Sequence, residues 1–360
     1  MTSKRQANFE LLRILAMLMI ITLHYLVKGN VAMPYTESQS VVNYTAWLVE
    51  AFCIVAVNCY VLLSGYFLVE SAWRPGRVVS LLGQILFYSL LIPVVMILFG
   101  MISPGELGLY DWLGFILPIE TEHYWFATAY LFMYLLAPVL AVGVKKMEKK
   151  TLQTVIVILL LLVSVGKSVC PVPLVTDRYG YDYGWFLCLF LIAAYLRLYG
   201  CRLWRSKRDS LLLYIGMCLC IFGVSAVAGL LADKAEAFSY YADMPYTYNH
   251  IFCLLGAIGL FGLFSQIKIR EGKAAALIRY LSPYTFGVYL LHEHILIRYE
   301  WTGWLQVEKV RGSFWFLPHM LLCAAIVYAL GTLVDFVRVY LFRKINVLLF
   351  SGHKSRAGHS

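Results

Sequence analysis

Charged residues are scarce in this sequence. Lys, Arg, Asp and Glu make up 14% of the 360 residues, whereas hydrophobic residues make up 61%. Ordinary water-soluble domains carry about 25% charged residues, so this composition excludes them. No loop between the apolar segments is long enough to form a soluble domain, and the chain lacks a fixed-period repeat or low-complexity tract. We therefore expect an integral membrane protein whose chemistry occurs within a bundle of helices.

Signals for a disulfide framework or a metal centre are also lacking. The nine cysteines are an odd number and lie mostly within apolar segments, where buried thiols are the ordinary expectation. His292, Glu293 and His294 bring ligand types together. If they lie on a helix, however, residues two apart point about 200° from one another and cannot easily share one ion. We predict no metal site.

Apolar runs near 20 residues long are frequent, and each is long enough to cross a membrane as a helix. The sequence predicts an all-α, polytopic membrane helical bundle with about ten transmembrane helices. The ninth segment is the weakest of these, because it is short and polar. The ten segments are 9–28, 43–69, 78–102, 123–144, 151–169, 183–199, 210–231, 246–267, 283–299 and 314–339.

The distribution of cations predicts the orientation, because basic loops remain on the cytoplasmic side. Alternate loops hold the cations: Lys4 and Arg5, Arg74 and Arg77, 145–150, 202–208, 268–279 and the tail from Arg343. The loop 103–122, in the other set, has four acids and no Lys or Arg. Both termini are thus expected in the cytoplasm, with the protein in the cytoplasmic membrane.

The same topology accounts for the net charge of +10, which also favours contact with anionic lipid of the bilayer. No nucleic-acid partner is predicted. The first segment follows basic residues as a signal peptide would, but Glu10 and Arg13 interrupt its apolar run and no cleavage site follows convincingly. We expect it to be an uncleaved span. Residues 1–345 are predicted to form a single transmembrane domain, and 346–360 a basic cytoplasmic tail.

Arg13 and His24 are the most informative pair in the sequence. Eleven positions along a helix return to within about 20° of the starting direction and advance about 16 Å, so both side chains share one face. An ionisable side chain within a span normally faces other helices or a hydrated cavity, and is a functional candidate. His24 is expected near the outer end of its helix, and Arg13 about one turn from the cytoplasmic edge.

With its Arg13-x10-His24 spacing, the first span resembles the start of the membrane-bound acyltransferase 3 family. Further stretches resemble the branch of that family that O-acetylates exopolysaccharides and other surface glycans. They cover most of the chain and are Val57-Asn-Cys-Tyr-Val-Leu-Leu-Ser64-Gly65-Tyr66-Phe67, Arg74-x-x-Arg77, Tyr124-Trp125-Phe126 leading to Tyr134 and Pro138, and Gly287-Val-Tyr289-Leu-Leu-His292-Glu.

The resemblance implies a single transmembrane acyltransferase domain that moves an acyl group, by family default acetyl, from acetyl-CoA to a hydroxyl of an envelope or extracellular carbohydrate. His24 would serve as general base or as transient acyl acceptor, because an imidazole titrates in the useful range. Arg13, Arg74 and Arg77 would contact the phosphates of the acyl-CoA. Asn58, Ser64, Tyr124, Trp125 and His292 would line the site. Polysaccharide-assembly proteins are candidate partners.

The sequence departs from the family pattern at two points. Relatives fused to a secreted SGNH-type domain usually carry a Glu five residues after the Trp, and here that position is Tyr130. No carboxylate role is expected there. The chain also stops after the tenth span, so we expect the membrane unit to complete the transfer without such a domain.

Each candidate residue also has a structural interpretation. Arg13 could extend its guanidinium to the membrane surface, and Arg74 and Arg77 could simply reflect the excess of cations on the cytoplasmic side. Ser64 could permit close helix packing, and His292 could bridge helices. Tyr124 and Trp125 could belong to an interfacial aromatic belt.

Two other functional classes remain open at this stage. A transporter or flippase for a glycan or small solute would also bury polar residues, but paired Gly/Pro-broken central helices and an inverted repeat are not evident in the sequence. A noncatalytic scaffold for polysaccharide assembly would not need the Arg13 and His24 pair.

Overall fold

The computed structural model describes residues 5–35, 37–121, 123–172 and 177–356, with side chains up to residue 344. The described residues contain α-helices and short 3-10 and π turns, and no strand. The α-helices are α1 Ala7–Lys28, α2 Val41–Cys53, α3 Ala56–Leu68, α4 Pro75–Leu98, α5 Leu109–Ile116, α6 Trp125–Lys146, α7 Lys149–Leu160, α8 Gly166–Val169, α9 Tyr183–Tyr199, α10 Lys207–Leu230, α11 Glu236–Asp243, α12 Ile251–Gln266, α13 Lys273–Leu281, α14 Thr285–His292, α15 Glu300–Trp304 and α16 Phe316–Arg356.

Local sequence signals explain where several helices begin. The Ser40 hydroxyl accepts a hydrogen bond from the Asn43 backbone N–H at the start of α2. Asp182 caps α9 in the same way through Trp185 N–H. Pro75 occupies the first turn of α4, where its missing N–H costs nothing. These caps satisfy backbone donors that have no partner inside the helix.

The prediction of an all-helical polytopic bundle is confirmed. Among the described residues, eight helical segments are long and apolar enough to cross a membrane, and α9 is a shorter apolar helix of 17 residues. The predicted ninth span differs most from its expectation. Its helix α14 has only eight residues, and after His292 the chain continues in turns. A helix of eight residues rises only about 12 Å, which is too short to cross the hydrocarbon core of a bilayer.

The second span is interrupted as well. Helices α2 and α3 are separated by a turn at Ile54 and Val55, although together they form one apolar segment of 28 residues. Neither Gly nor Pro occupies the turn at Ile54 and Val55, so this interruption is not of the Gly/Pro-broken kind considered for a transporter. Cys253 donates a weak hydrogen bond from its thiol to the Ile54 carbonyl at 3.6 Å, so one backbone acceptor at the break has a partner from another helix.

Helix α1 lies in the interior of the bundle. It packs against α2, α3, α12, α13, α14 and α16. Within its apolar window 61% of the residues are buried, compared with 17% for the segment that contains α7 and 22% for α10. Exposed Leu, Val and Ile side chains cover α7 and α10, as expected for helices that face lipid. Arg13 and His24, both on α1, therefore lie on a helix of the bundle interior.

The loop 103–122, apart from residue 122, forms a 3-10 turn and the short helix α5, which rests on α4 through a hydrogen bond from the Ser89 hydroxyl to the Phe115 carbonyl. Tyr110 and Leu109 on this helix are 87% and 72% exposed. An amphipathic helix of this kind fits a membrane interface. It does not line either of the two cavities of the bundle described below. Helix α16 continues without a break past residue 345, the predicted boundary of the tail.

Candidate active site

A large cavity opens at the end of the bundle where α1 begins. Its volume is about 580 Å³. Polar and charged side chains form much of its wall, and we call it the arginine cavity. These side chains include Arg5, Glu10, Arg13, Ser64, Arg77, Gln84 and Tyr130.

A much smaller cavity of about 10 Å³ adjoins His24, and we call it the histidine cavity. That volume is close to the minimum for one water molecule. The two cavities share Tyr60, Phe126 and Phe286 in their walls. These three rings form a narrow neck between the cavities, and a substrate group that passed from one to the other would have to move them.

His24 is held by two residues that follow each other near the end of α14. Its Nδ1 atom lies 3.0 Å from His292 Nε2 and 3.0 Å from Glu293 Oε1. The Glu293 carboxylate in turn accepts a hydrogen bond from the Lys28 ammonium. Helix α1 therefore contributes the imidazole and the ammonium, one turn apart, and the residues at the end of α14 contribute the group that connects them.

The hydrogen-bond partners assign the tautomers of both imidazoles. His292 Nδ1 lies 2.6 Å from the Val288 carbonyl, which can only accept, so Nδ1 carries the proton. In a neutral ring His292 Nε2 is then an acceptor, and the proton between the rings belongs to His24 Nδ1. His24 Nε2 therefore keeps its lone pair. No hydrogen bond between described residues engages this atom, so it is available to a substrate proton.

The end of α14 explains how two consecutive residues reach the same imidazole. Glu293 is the C-terminal cap of the helix and no longer follows the helical spacing. His294 turns away. Its ring donates to the Ser89 carbonyl at 3.4 Å and makes an edge-to-face contact with His123, with ring centroids 4.5 Å apart. The expectation that all three residues lie on one helix was therefore wrong. Burial, with a smaller contribution from the Arg298 charge, lowers the pKa of His123 to about 4.

His24, His292 and Glu293 are the residues best placed to hold a cation. Their ligand atoms lie within 4.8 Å of one another. The Lys28 ammonium already contacts the Glu293 oxygen that a metal would need. A positive side chain beside the carboxylate opposes a second cation through Coulomb repulsion, so the donor set fits an imidazole-carboxylate network better than a metal centre. The prediction of no metal concerned a different combination, His292 with His294, which the fold separates.

Arg13 lines the arginine cavity, and its face of α1 also carries His24 into the histidine cavity. The Arg13 Nε atom lies 3.4 Å from the Glu10 carboxylate, which also faces Arg5 at 3.8 Å. The guanidinium lies 5.4 Å from the centre of the Tyr60 ring. Arg13 therefore faces the neck rather than extending to the membrane surface.

The two arginines of the Arg74-x-x-Arg77 stretch differ in position. Arg77 lines the arginine cavity, whereas Arg74 precedes α4, is exposed and does not line it. Arg74 is the N-terminal cap of α4 and has an extended backbone, so it does not share the helical face of Arg77. The expectation that both contact the same ligand finds a geometric basis for Arg77 alone.

Asn58 and Ser64 also differ. Asn58 is fully buried, donates to the Tyr248 carbonyl at 2.7 Å and accepts from the Trp185 indole N–H at 2.9 Å. It does not line either cavity, so its expected place in the site is corrected to a link between helices. Ser64 lines the arginine cavity, and its hydroxyl donates to the Tyr60 carbonyl at 3.1 Å.

Tyr124 and Trp125 are separated by the start of α6. Trp125 lines the histidine cavity and stacks on Tyr248, with ring centroids 5.6 Å apart. Tyr124 is buried against His123 and His294 and does not line either cavity. The predicted substrate contact is thus possible in this geometry for Trp125, whereas Tyr124 supports the loop after α14.

Sequence reasoning did not select Glu293, Lys28 or Tyr60 as site residues. Tyr60 lies within the matched stretch that begins at Val57. Its position between Asn58 and Ser64, which were both selected, could have indicated a place in the site. Lys28 stands four residues after His24, so the two share a helix face. Glu293 is adjacent to His292, but its role depends on where α14 ends.

Comparison with known proteins gives one result about the family. No curated protein and no solved structure matches this chain. A family model described as an acyltransferase domain matches residues 6–330, which include α1, both cavities and the end of α14. Because this match covers most of the 360 residues, the chain belongs to the acyltransferase 3 family.

Proposed function

We propose that this membrane acyltransferase transfers an acetyl group from acetyl-CoA to a hydroxyl of an envelope or extracellular carbohydrate. His24 acts as the general base. In this proposal the N-terminus of α1 faces the cytoplasm, the enzyme lies in the cytoplasmic membrane, and donor and acceptor approach His24 from opposite ends of the bundle. Polysaccharide-assembly proteins would supply or receive the acceptor.

The observation that carries the proposal is the hydrogen bonding of the two ring nitrogens of His24. Its Nδ1–H is held by His292 and Glu293, and its Nε2 lone pair is free of protein partners among the described residues. An imidazole oriented by a carboxylate on one nitrogen, with the other nitrogen free, is the arrangement that general-base catalysis requires. The nearby Glu293 carboxylate stabilises the imidazolium that forms when Nε2 takes a proton.

The reaction is balanced without a further reagent. His24 Nε2 takes the proton of the acceptor hydroxyl, the oxygen attacks the thioester carbonyl, and the bond from carbonyl carbon to sulfur breaks. The imidazolium then returns its proton to the departing thiolate, giving the ester and free CoA. If His24 acts instead as a nucleophile, an acyl-imidazole precedes attack by the hydroxyl.

The arginine cavity supports the donor assignment. Arg5, Arg13 and Arg77 line it, and guanidinium groups suit phosphate recognition because their donors match phosphate oxygens. The cavity ends at the neck formed by Tyr60, Phe126 and Phe286. A phosphate-bearing donor would leave its nucleotide among the arginines and extend its narrow thioester arm through the neck toward His24.

The test uses the purified protein in liposomes with radiolabelled acetyl-CoA and the surface polysaccharide of the source cell as acceptor. We expect acceptor-dependent label transfer that His24→Gln reduces by about 10²–10⁴-fold, the usual contribution of a positioned base. The matched control is His319→Gln. His319 is a half-buried imidazole that is hydrogen-bonded to the hydroxyl of Tyr25, the residue after His24, and it does not line either cavity.

Equal transfer by wild type and His24→Gln at equal folded yield would contradict the proposal, as would movement of the glycan across the liposome membrane without an acyl donor. Mass spectrometry of the protein after reaction with acetyl-CoA alone separates the two chemical routes. An acetyl group on His24 indicates the nucleophile route, and its absence during turnover indicates the general base.

A further inference from the structure

Two cations flank one exposed aromatic ring beside the site. Lys28 Nζ and Arg298 Cζ each lie 5.4 Å from the centre of the Tyr299 ring. Tyr299 is 61% exposed, so this group lies at the surface of the chain, at the end of the bundle where α1 ends. It is on the opposite side of His24 from the arginine cavity.

The two cations have unequal partners. Lys28 is compensated by the Glu293 carboxylate. Arg298 forms no ion pair or side-chain hydrogen bond with any residue that the structure describes, and its Nε atom is buried without a partner. A guanidinium has five N–H donors, and leaving a buried one unmatched costs free energy. Arg298 is therefore a cation that lacks its counter-ion.

Arg298 is close to the reacting centre. Its backbone N–H donates to the His294 carbonyl at 2.8 Å, which places it in the turn that directly follows Glu293. Its charge interacts with Glu293 and with the imidazole of His24. The charges of Lys28 and Glu293 cancel, so Arg298 leaves this approach to His24 with one excess positive charge.

The positive charge of Arg298 contrasts with the acidic segment 103–121. The segment 103–121 contains Glu106, Asp111 and Glu120 and no Lys or Arg. The Phe115 ring of this segment packs on His123 and His294, so the acidic segment 103–121 lies beside the turn that contains Arg298. An anion that approached this end of the bundle would be repelled by the carboxylates of the segment 103–121 and attracted to Arg298.

We propose that Arg298 binds an anionic group, a carboxylate or phosphate, on the carbohydrate acceptor, and so holds a neighbouring hydroxyl at His24. The acceptor class is then an acidic glycan, such as one that contains a uronic acid or a phosphorylated sugar. This inference rests on the proposed function, because it assigns the second substrate of the same site. Tyr299, which both cations approach, is 61% exposed, and the exposed part of its ring offers apolar contact to the sugar.

The test measures binding, so that it does not depend on catalysis. His24→Ala protein, chemically silent in the proposed mechanism, is placed in phosphatidylcholine nanodiscs and titrated calorimetrically with methyl glucuronide, glucose 6-phosphate and methyl glucoside. We expect at least one of the two anionic sugars to bind at least fivefold more tightly than the neutral glucoside. Added Arg298→Gln should abolish that preference.

Arg311→Gln is the matched control, because Arg311 is an exposed cation of the region after α14 and, among the described residues, only Lys28 and Arg298 have cation–π contacts with the Tyr299 ring. It should leave the preference intact. Equal binding of charged and neutral sugars, or an equal loss in both arginine variants, would overturn the inference. If Arg298→Gln instead releases co-purified anionic lipid while sugar binding is unchanged, Arg298 binds a lipid headgroup and the glycan assignment is wrong.

The two proposals fail separately in this design. Anion binding that depends on Arg298, with no acetyl transfer by the wild-type enzyme, would refute the acetyltransferase proposal alone. Acetyl transfer to a neutral glycan that is unchanged by Arg298→Gln, with no anion preference, would refute the acidic acceptor alone.

Discussion

The arginine cavity and the histidine cavity meet at three shared aromatic rings, yet they are built for different tasks. The first has a volume of about 580 Å³ and is lined by three arginines, whereas the second has a volume of about 10 Å³ and surrounds one imidazole. A wide polar cavity can hold a charged, hydrated ligand. A narrow one admits little water, which strengthens electrostatic interactions and, in the proposed reaction, would limit hydrolysis of the thioester. We infer that the donor binds mainly in the arginine cavity, and that this binding energy helps to position the reacting group in the histidine cavity.

The variant His24→Ala tests most directly whether the two cavities have separate roles. We expect acetyl transfer to fall by about 10²–10⁴-fold, because the general base is lost. The affinity for acetyl-CoA should change by less than about twofold, since His24 does not line the arginine cavity. Equilibrium binding of acetyl-CoA beside single-turnover transfer measures both. A parallel loss of donor binding would show that the cavities do not divide the two tasks.

Glu293→Gln should produce the next largest effect. The amide has nearly the shape of the carboxylate but no charge, so it cannot stabilise the imidazolium on His24. We expect kcat to fall by about 10–100-fold, in the range found for groups that orient a reactive imidazole, with KM for the donor unchanged.

The control for this variant is Glu293→Gln combined with Lys28→Met, which removes the ammonium left without its partner. If the double variant recovers activity, the loss in the single variant came from an unpaired cation. An unchanged defect supports the role of the carboxylate at His24.

Arg77→Gln and Arg74→Gln form a matched pair within one motif. Arg77 lines the arginine cavity and Arg74 does not. A lost charged hydrogen bond costs about 1.5–3 kcal/mol, so KM for acetyl-CoA should rise about tenfold or more for Arg77→Gln. The rise should stay below about twofold for Arg74→Gln. Initial rates over a range of donor concentrations distinguish them, and equal effects would remove the phosphate assignment of Arg77.

Asn58→Ala should have the smallest effect on catalysis. The substitution leaves the Trp185 N–H and the Tyr248 carbonyl without their buried partner, at a cost of about 1–3 kcal/mol in stability. The melting temperature in detergent should fall while activity per folded molecule stays within about twofold of wild type. A specific loss of activity would return Asn58 to the site.

The common face of Arg13 and His24 could be predicted because it follows from helical geometry alone. Eleven residues complete just over three turns in any α-helix, whatever surrounds it. The structure places Arg13 in the wall of one cavity and His24 in the wall of the other. The eight helical segments long and apolar enough to cross a membrane could be predicted for a similar reason, because the thickness of a bilayer sets their length, whereas the predicted ninth span is not one of them.

Glu293 could not be selected by the same reasoning. Its contact with His24 joins residues 269 positions apart, and it exists because α14 ends at His292. Nothing in the local sequence stops that helix, since Glu293 and the residues after it are compatible with a helix. Tertiary packing overrides local preference here, and the spacing rule that excluded a cluster at this point assumed a helix that is absent.

The short helix α14 also places an electric dipole at the reacting imidazoles. Its C-terminal turn ends at His292, so its aligned peptide groups present their partial negative charge to the pair of rings. In the proposed mechanism, a cation forms opposite that negative end each time His24 accepts a proton. A helix that crossed the whole membrane would have delivered the same end to the solvent, far from the proton.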